Sequence, residues 1–221
     1  MTRVLLFDID GTLIRSGGVG SSSLNQCFKE LYGWEKALGG MRLDGMTDPL
    51  ILEAVFEAHS RPLEPFQPIY GRYTQILEKT LENFPGGAVL PGIKEVLDRL
   101  KSEDVALGLL TGNIERGAQI KLEHYELWDR FDFGAYGSDD KIRANLVPIA
   151  LNRSGIDSAS RVIVIGDTPS DIATAKAHDA LSIAVATGSR FRHDDLKACE
   201  PDFLFEDFSE PEQFMTALLN G

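Results

Sequence analysis

Four runs of consecutive apolar residues divide the chain, and each run ends in polar or glycine-containing residues. The runs cover residues 4–7, 105–110, 162–165 and 181–185. Because they are apolar almost throughout rather than alternating, they are typical of strands covered on both faces in a parallel sheet. Apolar residues at helical spacing lie between the runs. The pattern predicts an α/β fold with a doubly wound parallel, Rossmann-like sheet, whose ligands bind beyond the carboxyl ends of the strands.

The region from residue 16 to residue 87 interrupts this alternation. It carries helical patterns near 24–31, 49–58 and 68–81 and contains no convincing strand. A helical insertion after the first strand would lie over the carboxyl end of the sheet as a cap, and the glycine-containing stretches 17–20 and 84–87 are suited to act as paired hinges. We therefore expect a core domain made of residues 1–15 and 88–221 and a helical cap domain made of residues 16–87.

Charge and composition narrow the classes of partner. With 34 acidic and 22 basic residues, the chain has a formal net charge of −12, whereas binding to nucleic acid or to an anionic membrane requires a basic face. The first apolar run is ended by Asp8, too early for a secretory signal or a spanning helix. The two cysteines show neither metal-ligand nor redox spacing. We expect a cytoplasmic protein that binds neither nucleic acid nor membrane, and the sequence leaves its oligomeric state open.

The first apolar run leads into Asp8 and Asp10, which are two residues apart and are followed by Gly11. Side chains at i and i+2 near a strand end point the same way, so both carboxylates can address one site. At ~4 Å and an effective dielectric constant near 20, two unpaired carboxylates repel each other by roughly 4 kcal/mol. A cation, a shared proton or a substrate usually neutralises such a pair. The alternative, a turn that is merely rich in Asp and Gly, would not require both acids.

Two further polar motifs follow apolar runs. The run Thr111-Gly112-Asn113 places two backbone amides at the start of a predicted helix, where a phosphoryl group can bind. The run Gly166-Asp167-Thr168-Pro169-Ser170-Asp171 has a structural interpretation as well, because Thr168 can cap a helix that begins at Pro169. Four aspartates without clustered His or Cys indicate an all-oxygen site for a hard cation, and Mg²⁺ fits a phosphoryl site best.

Together these motifs resemble those of the haloacid dehalogenase (HAD) superfamily, and the resemblance covers most of the chain. The family's first motif is present as Asp8-Ile9-Asp10-Gly11-Thr12, its second, a Thr or Ser after a strand, corresponds to Thr111, and its fourth corresponds to residues 166–171. Three motifs in order, each after a strand, are specific where one alone would be weak. The cap makes the chain similar to phosphoglycolate-phosphatase-like members of the superfamily.

The resemblance implies a Mg²⁺-dependent phosphatase that hydrolyses a small phosphorylated metabolite, of the phosphoglycolate or sugar-phosphate type, through an aspartyl-phosphate. Asp8 would be the nucleophile, and Asp10 would act as general acid and then as general base. Thr111, with the amides of Gly112 and Asn113, would bind the phosphoryl group. The Mg²⁺ ligands implied by the resemblance are Asp8, the backbone carbonyl of Asp10, and Asp167, with Asp171 close by.

The family's third motif, a Lys or Arg that neutralises the phosphoryl group, has two candidates here. Many relatives carry Lys followed by Pro, whereas this chain reads Lys141-Ile142-Arg143-Ala144-Asn145-Leu146. Spacing to Gly155, which ends the following helix, favours Lys141. Resemblance to relatives with an arginine just before an Asn-Leu helix start favours Arg143. We favour Arg143, and we expect the other residue to belong to a solvated loop.

In the predicted cap, the run Gly45-Met46-Thr47-Asp48 resembles a substrate-specificity loop of phosphoglycolate-phosphatase-like proteins. This resemblance makes Thr47 and Asp48 candidate substrate contacts. The structural alternative is that Asp48 caps a helix whose first residue is Pro49.

Two other functions are compatible with parts of the pattern. A phosphomutase of the same superfamily shares the motifs, but related mutases use a histidine in the hinge after the first motif, and residues 13–20 contain none. A non-catalytic receiver-like signalling module also clusters acids, a threonine and a lysine around a phosphorylated aspartate. Such a module is smaller, lacks a cap and does not begin with this motif.

Overall fold

A six-stranded parallel sheet lies at the centre of the computed structural model, which describes residues 3–156 and 161–220. Along the chain the strands are β1 (Arg3–Phe7), β2 (Ile14–Arg15), β3 (Ala88–Val89), β4 (Val105–Thr111), β5 (Phe133–Tyr136), β6 (Arg161–Gly166), β7 (Leu181–Val185) and β8 (Phe203–Phe205). The helices are α1 (Val19–Tyr32), α2 (Asp48–Ala58), α3 (Gln67–Leu81), α4 (Ile93–Leu100), α5 (Glu115–His124), α6 (Leu146–Ser154), α7 (Pro169–Lys176), α8 (His193–Lys197) and α9 (Pro211–Asn220).

The order of strands across the sheet is β5-β4-β1-β6-β7-β8, and all neighbours are parallel. The chain therefore builds the β4 and β5 side first and then returns past β1 to build the other side, beginning with β6. In open α/β sheets, ligands bind at the carboxyl ends of the strands beside the position where this direction reverses. That position lies between β1 and β6.

Apolar side chains of the sheet alternate between two buried faces. Leu5 and Phe7 of β1 pack with α4, α5 and α9, whereas Val4 and Leu6 pack with α6 and α7. Leu196 of α8 clusters with Ile172 of α7. Helices therefore cover both faces of the sheet, and the predicted doubly wound parallel α/β fold is confirmed.

Residues 16–87, which we call the cap segment, contain α1, α2 and α3 and no strand. Their apolar cluster includes Ile114 and Ile120 at helix α5, so the cap segment packs directly on that helix. Strands β2 and β3 form an antiparallel pair where the chain enters and leaves the cap segment. A Cβ at Gly17 would lie 2.3 Å from the Gly86 carbonyl oxygen. The two stretches that we predict as hinges therefore lie side by side, while their mobility and the domain boundaries stay proposals.

The four predicted strands correspond to β1, β4, β6 and β7. Sequence analysis missed β5 and β8, which are only four and three residues long, and the two-residue strands β2 and β3. Helix α2 begins at Asp48 with Thr47 in the N-cap position, so the interpretation of Asp48 as the cap of a helix beginning at Pro49 is wrong. In the part of the chain that the structure describes, no helix is long and apolar enough to cross a membrane.

Candidate active site

Three neighbouring strands bring the predicted motifs to one edge of the sheet. Asp8 follows β1, Thr111 is the last residue of β4, and Asp167 follows β6. The order β4-β1-β6 makes these strand ends adjacent, and the Asp8 amide continues the ladder by donating to the Ile165 carbonyl oxygen at 2.9 Å. The site is thus a direct consequence of parallel pairing, because residues that end neighbouring parallel strands must lie side by side.

A tight turn after Asp10 leaves room for Asp167. Gly11 has a φ of +90°, and a Cβ there would lie 2.3 Å from Asp167 Oδ2. Gly188, after β7, approaches from the other side, since its Cβ would lie 2.0 Å from the same oxygen. The hydroxyl of Thr12 donates to Asp167 Oδ1 at 3.2 Å. Larger residues at either glycine would fill the space that the carboxylate occupies.

Asp8, Asp167 and Asp171 form a buried acidic cluster, in which each offers one oxygen within 4.8 Å of the others. Arg143 enters this cluster, with one terminal nitrogen 2.9 Å from Asp8 Oδ1 and 2.6 Å from Asp171 Oδ1. The same nitrogen donates to the Leu110 carbonyl oxygen at 3.1 Å. Arg143 is therefore the cation that partly compensates the acidic cluster in this structure.

The positive charge of Arg143 neutralises only part of the negative charge of the acidic cluster. Burial raises the pKa of Asp8 to about 6, although the Arg143 guanidinium acts in the opposite direction. Burial, reinforced by the charges of Asp8 and Asp171, also raises the pKa of Asp167 well above its usual range. Burial alone would lower the pKa of Arg143, but the negative charges of Asp171 and Asp8 outweigh burial, and the net shift of the pKa is upward. Excess negative charge in a buried, all-oxygen cluster is the setting in which a hard divalent cation binds.

Asp171 also shapes the backbone beside the cluster. Its Oδ2 accepts hydrogen bonds from the Thr168 amide at 3.0 Å and the Thr168 hydroxyl at 2.7 Å. Thr168 and Asp171 together form a capping box at the start of α7, with Pro169 in the first turn. The predicted helix start at residues 168–169 is confirmed, and the same segment holds Asp167 at the strand end.

Asp10 belongs to a second network, on the cap-segment side of the acidic cluster. Its Oδ2 accepts hydrogen bonds from Lys121 Nζ at 2.7 Å and from Asn113 Nδ2 at 2.8 Å. The Asn113 side chain also receives Lys121 Nζ on its Oδ1 at 2.7 Å and donates to the Thr111 hydroxyl at 2.8 Å. Burial acts to raise the pKa of Asp10, but the charge and hydrogen bond of Lys121, together with hydrogen bonds from Asn113 and Ser16, outweigh it, and the net shift of the pKa is downward.

The loop of the cap segment that we single out from the sequence lies against the core. The Asp48 amide donates to the Gly112 carbonyl oxygen at 2.7 Å, and Asp48 Oδ2 accepts from the Ile114 amide at 2.8 Å. Burial raises the pKa of Asp48 to about 6 against the lowering effect of that amide. The carboxylate of Asp48 therefore holds the backbone amide of Ile114, the residue that precedes α5 of the core, and does not cap its own helix.

Lys141 lies apart from the acidic cluster. Its ammonium pairs with Glu53 of α2 at 2.9 Å, and its carbonyl oxygen accepts the Thr47 hydroxyl at 2.8 Å. Lys141 and Thr47 thus connect the cap segment to the core at its rim. Arg143, two residues later, is the member of this pair that reaches Asp8, and the phosphoryl-binding role that we favour for it stays a prediction.

These networks surround one cavity of about 550 Å³ between the sheet edge and the cap segment. Of the residues predicted from sequence, the lining contains Asp8, Asp10, Asp48, Thr111, Gly112, Asn113, Arg143 and Asp167. Thr47, Lys141 and Asp171 lie outside the lining. The cap-segment wall contributes both apolar side chains (Leu24, Leu43, Met46, Ile51 and Tyr73) and polar ones (Ser16, Ser21, Asp44 and Asp48).

Sequence analysis missed Lys121, which lines this cavity and is buried. A signal for it was present, because residues 114, 118 and 121 share one face of α5 and the first two are the apolar Ile114 and Ala118. A lysine on the buried stripe of a helix needs a partner. The partner is Asp10, which is 111 positions away along the chain.

Comparison with known proteins agrees with this architecture. Residues 5–185 match the family model of haloacid dehalogenase-like hydrolases. The chain is 29% identical to the Dickeya dadantii protein named "Probable phosphatase IndB", over 99% of this chain and 96% of that protein. It is 28% identical to the phosphoglycolate phosphatase of Mesorhizobium japonicum, over 93% of this chain and 91% of the other.

The fold is also similar to that of β-phosphoglucomutase from Clostridium difficile, with a TM-score of 0.76 over 100% of this chain and 98% of the other. At 16% identity this likeness concerns the fold alone. The family assignment depends instead on the sequence match, which spans most of the chain and includes the strand ends that carry Asp8, Thr111 and Asp167. This chain belongs to the family of haloacid dehalogenase-like hydrolases.

Proposed function

We propose that this hydrolase is a Mg²⁺-dependent phosphatase that hydrolyses a small phosphate monoester through an aspartyl-phosphate on Asp8. One observation carries the proposal: Asp8, Asp10, Thr111 and Arg143 line a single cavity at the carboxyl ends of three adjacent strands. This set supplies a nucleophile, a proton donor, a hydroxyl and a cation. The phosphatase names of relatives that align along nearly the whole chain support the same reaction class.

The proposed reaction has two transfers. In the first, Asp8 attacks phosphorus, the bond from phosphorus to the leaving oxygen breaks, and Asp10 gives that oxygen a proton. In the second, Asp10 takes a proton from water as the water oxygen attacks phosphorus and the bond to Asp8 breaks. Splitting a difficult displacement through a carboxylate nucleophile is one way to reach the very large rate enhancement that phosphate monoesters require.

Phosphoryl oxygens would be bound by residues that line the cavity. Thr111 would offer its hydroxyl, and the loop that leads into α5 would offer the amides of Gly112 and Asn113, of which the Asn113 amide donates to the Thr111 hydroxyl at 3.3 Å in this structure. Arg143 lies beside Asp8 and supplies positive charge where negative charge accumulates. Such preorganised donors stabilise a transition state because they need no rearrangement during the reaction.

The acidic cluster suits Mg²⁺. Asp8 and Asp167 would hold the ion, together with the Asp10 backbone carbonyl that the family resemblance implies, and Asp171 would lie close by. The two glycines that make room for Asp167, Gly11 and Gly188, support a carboxylate kept in one place. When bound, the ion would supply positive charge that balances the carboxylates and draws a dianionic substrate to an acidic protein.

The leaving group would lie toward the cap segment, whose wall carries both apolar and polar side chains. We propose that residues 16–87 form a cap over the core and that Asp48 contributes to the choice of substrate. A cavity of about 550 Å³ accommodates a small metabolite, of the phosphoglycolate or sugar-phosphate class.

Phosphate release from a panel of phosphorylated metabolites, measured with Mg²⁺, tests the proposal. Excess chelator should abolish turnover, and added Mg²⁺ should restore it. Asp8→Asn keeps the shape of the side chain and should remove nearly all turnover without lowering the unfolding temperature, whereas Asp98→Asn, an exposed carboxylate outside the site, should behave as wild type. Full activity in chelator would contradict the metal requirement, and substantial turnover by Asp8→Asn would contradict the nucleophile.

A further inference from the structure

Helix α3 of the cap segment carries a tyrosine whose hydroxyl the reaction described above does not use. Tyr73 is only 4% exposed and lines the cavity. Among the described residues, none forms a hydrogen bond with its hydroxyl. The hydroxyl of Tyr125 also lacks a partner but is fully enclosed, whereas that of Tyr73 keeps contact with the cavity. Because buried polar groups are nearly always hydrogen-bonded, a ligand in the cavity is the expected partner of Tyr73.

Two other residues of the cavity lining, Gly20 and Lys121, show where this hydroxyl lies. A Cβ at Gly20 of α1 would be 3.5 Å from the Tyr73 hydroxyl oxygen and 3.4 Å from Lys121 Nζ, so both groups border the same space. A lysine ammonium has three donors, and the described residues accept two of them, at Asp10 Oδ2 and Asn113 Oδ1. Since residue 20 has no side chain, the space beside both groups stays open to a ligand atom.

The charges around this space favour a neutral ligand group. Burial, reinforced by the charges of Asp48 and Asp10, raises the pKa of Tyr73 well above its usual range, so the hydroxyl keeps its proton and can both donate and accept. Among the described residues that line the cavity, five are acidic and three are basic. The charge of Lys121 is already matched by Asp10. A carboxylate bound here would meet this excess of negative charge, whereas a ligand hydroxyl would not.

We propose that Tyr73 is a specificity-determining residue that forms a hydrogen bond with a hydroxyl of the leaving group, so that the substrates are polyol or sugar phosphates rather than phosphorylated carboxylic acids. This inference rests on the proposed phosphatase function and narrows its substrate class. The phosphoryl group would lie at Asp8, and the hydroxyl-bearing carbon chain would extend along the cavity toward α3. A site built to bind a substrate hydroxyl discriminates against an analogue that lacks it.

A purely structural role explains the Tyr73 hydroxyl less well. The side chain belongs to the apolar cluster of the cap segment, together with Ile69, Ile76 and Leu77. Phenylalanine would fill the same volume, and a buried hydroxyl without a partner costs stability. Tyr73→Phe should therefore unfold at the same urea concentration as wild type or at a higher one. A loss of activity in this variant would then report a lost contact with the substrate.

Three esters with the same three-carbon skeleton test the proposal. Glycerol 3-phosphate carries two hydroxyls, n-propyl phosphate carries none, and 3-phosphoglycerate has a carboxylate in place of the terminal hydroxymethyl group. We expect wild-type kcat/KM to be about tenfold higher for glycerol 3-phosphate than for either of the others. Tyr73→Phe should lower kcat/KM for glycerol 3-phosphate by about tenfold and should leave that for n-propyl phosphate within about twofold of wild type.

Gly20→Ala is a second variant that acts on the same space from α1. Its methyl group would lie in van der Waals contact with the Tyr73 hydroxyl and Lys121 Nζ, where the ligand oxygen is proposed to bind. We expect it to reduce the preference for glycerol 3-phosphate over n-propyl phosphate. Tyr70→Phe is the matched control, because Tyr70 lies on the same helix and is not among the residues that line the cavity. It should match wild type with all three esters.

Several results would overturn the inference and leave the proposed function in place. They are an unchanged preference in Tyr73→Phe, an equal loss with glycerol 3-phosphate and n-propyl phosphate, and a wild-type preference for 3-phosphoglycerate. A Tyr73→Phe variant that melts well below wild type would also overturn it, because the hydroxyl would then have a structural role. Failure of the wild-type enzyme to release phosphate from these esters and from p-nitrophenyl phosphate, with Mg²⁺ present, would instead overturn the proposed function and the inference with it.

Discussion

Arg143 and Lys141 are two residues apart, yet they meet different partners. Arg143 is buried between Asp8 and Asp171, whereas Lys141 is exposed and pairs with Glu53. Exposed ion pairs such as Lys141 with Glu53 contribute little to folding stability, typically below about 1 kcal/mol. A buried cation beside the nucleophile acts on the charge of the phosphoryl group directly.

We therefore expect Arg143→Ala to lower kcat/KM by roughly a hundredfold, about 3 kcal/mol of transition-state stabilisation. Lys141→Ala should change it by less than about threefold. Arg143 also neutralises buried acids, so its removal can lower the stability of the fold. Steady-state kinetics would therefore be compared at a temperature where circular dichroism shows both variants to be folded. The opposite ranking would move the phosphoryl-binding role to Lys141.

At the scale of elements, the start of α2 is fastened to the start of α5 through backbone and side-chain hydrogen bonds. Gly112 lies in the middle of this contact, since a Cβ there would be 2.2 Å from the Met46 carbonyl oxygen and 3.1 Å from the Thr47 Cα. Both obstacles are backbone atoms, which cannot rotate away as a side chain can. The cap segment would have to shift to admit even a methyl group.

Gly112→Ala should therefore destabilise the protein by about 1–3 kcal/mol, a typical cost of overpacking, and should lower kcat/KM. Gly71→Ala is the matched control, because Gly71 lies within α3 and a Cβ there would meet, apart from the neighbouring backbone of its own helix, no atom of the described residues within 4 Å. The free energy of unfolding of Gly71→Ala should rise by up to about 1 kcal/mol, because alanine has a higher helix propensity than glycine. Urea unfolding measures both. Equal stability of the two variants would show that the contact at Gly112 is loose.

Asp48 at the start of α2 adds a pH dependence to the same contact. Its pKa is raised from the usual range of an aspartate to about 6, so between about pH 4 and pH 6 the folded state binds more protons than the unfolded state. Ionisation of Asp48 in the folded state therefore lowers the free energy of unfolding. This loss is absent near pH 4 and is fully present above pH 6. Asp48→Asn keeps an oxygen for the Ile114 amide and removes the charge.

We expect Asp48→Asn to match wild type near pH 4 and to become more stable than wild type as the pH rises to 7, by on the order of 2 kcal/mol. Chemical denaturation at several pH values measures the difference, and other titrating groups cancel in the comparison. A difference that does not vary with pH would contradict the raised pKa.

At the scale of the whole molecule, the cavity between core and cap segment decides the fate of an aspartyl-phosphate. A mutase must keep water away while a second hydroxyl turns toward the phosphoryl group. The segment that leads into the cap, residues 13–20, contains no histidine and three glycines. We expect water to reach the intermediate and complete hydrolysis.

Incubation with hexose 1-phosphates, following both products, distinguishes the two reactions. Free phosphate should accumulate, and isomerised hexose 6-phosphate should not. Accumulation of hexose 6-phosphate with little free phosphate would contradict a phosphatase and favour a mutase. The outcome bears on the whole molecule because the same core motifs serve both reactions.

The sequence by itself predicted the fold class and the place of the site. Runs that are apolar throughout indicate strands buried on both faces, and parallel strands bring the residues that follow them to one edge. Asp8, Thr111 and Asp167 could therefore be expected at one edge of the sheet, and the strand order β4-β1-β6 then placed them side by side. The short strands β5 and β8 escaped because three or four residues are too few for a periodic pattern to stand out.

Tertiary structure alone decided which of two neighbouring cations meets Asp8, where the carboxylate of Asp48 points, and that Lys121 joins Asp10. Each of these depends on contacts between residues far apart in the chain, such as Lys141 with Glu53, which local spacing does not encode. Local patterns reflect burial and backbone preference, and both act over a few residues. A polar side chain in the core instead takes the partner that packing brings within reach, since leaving it unpaired costs more than any local preference provides.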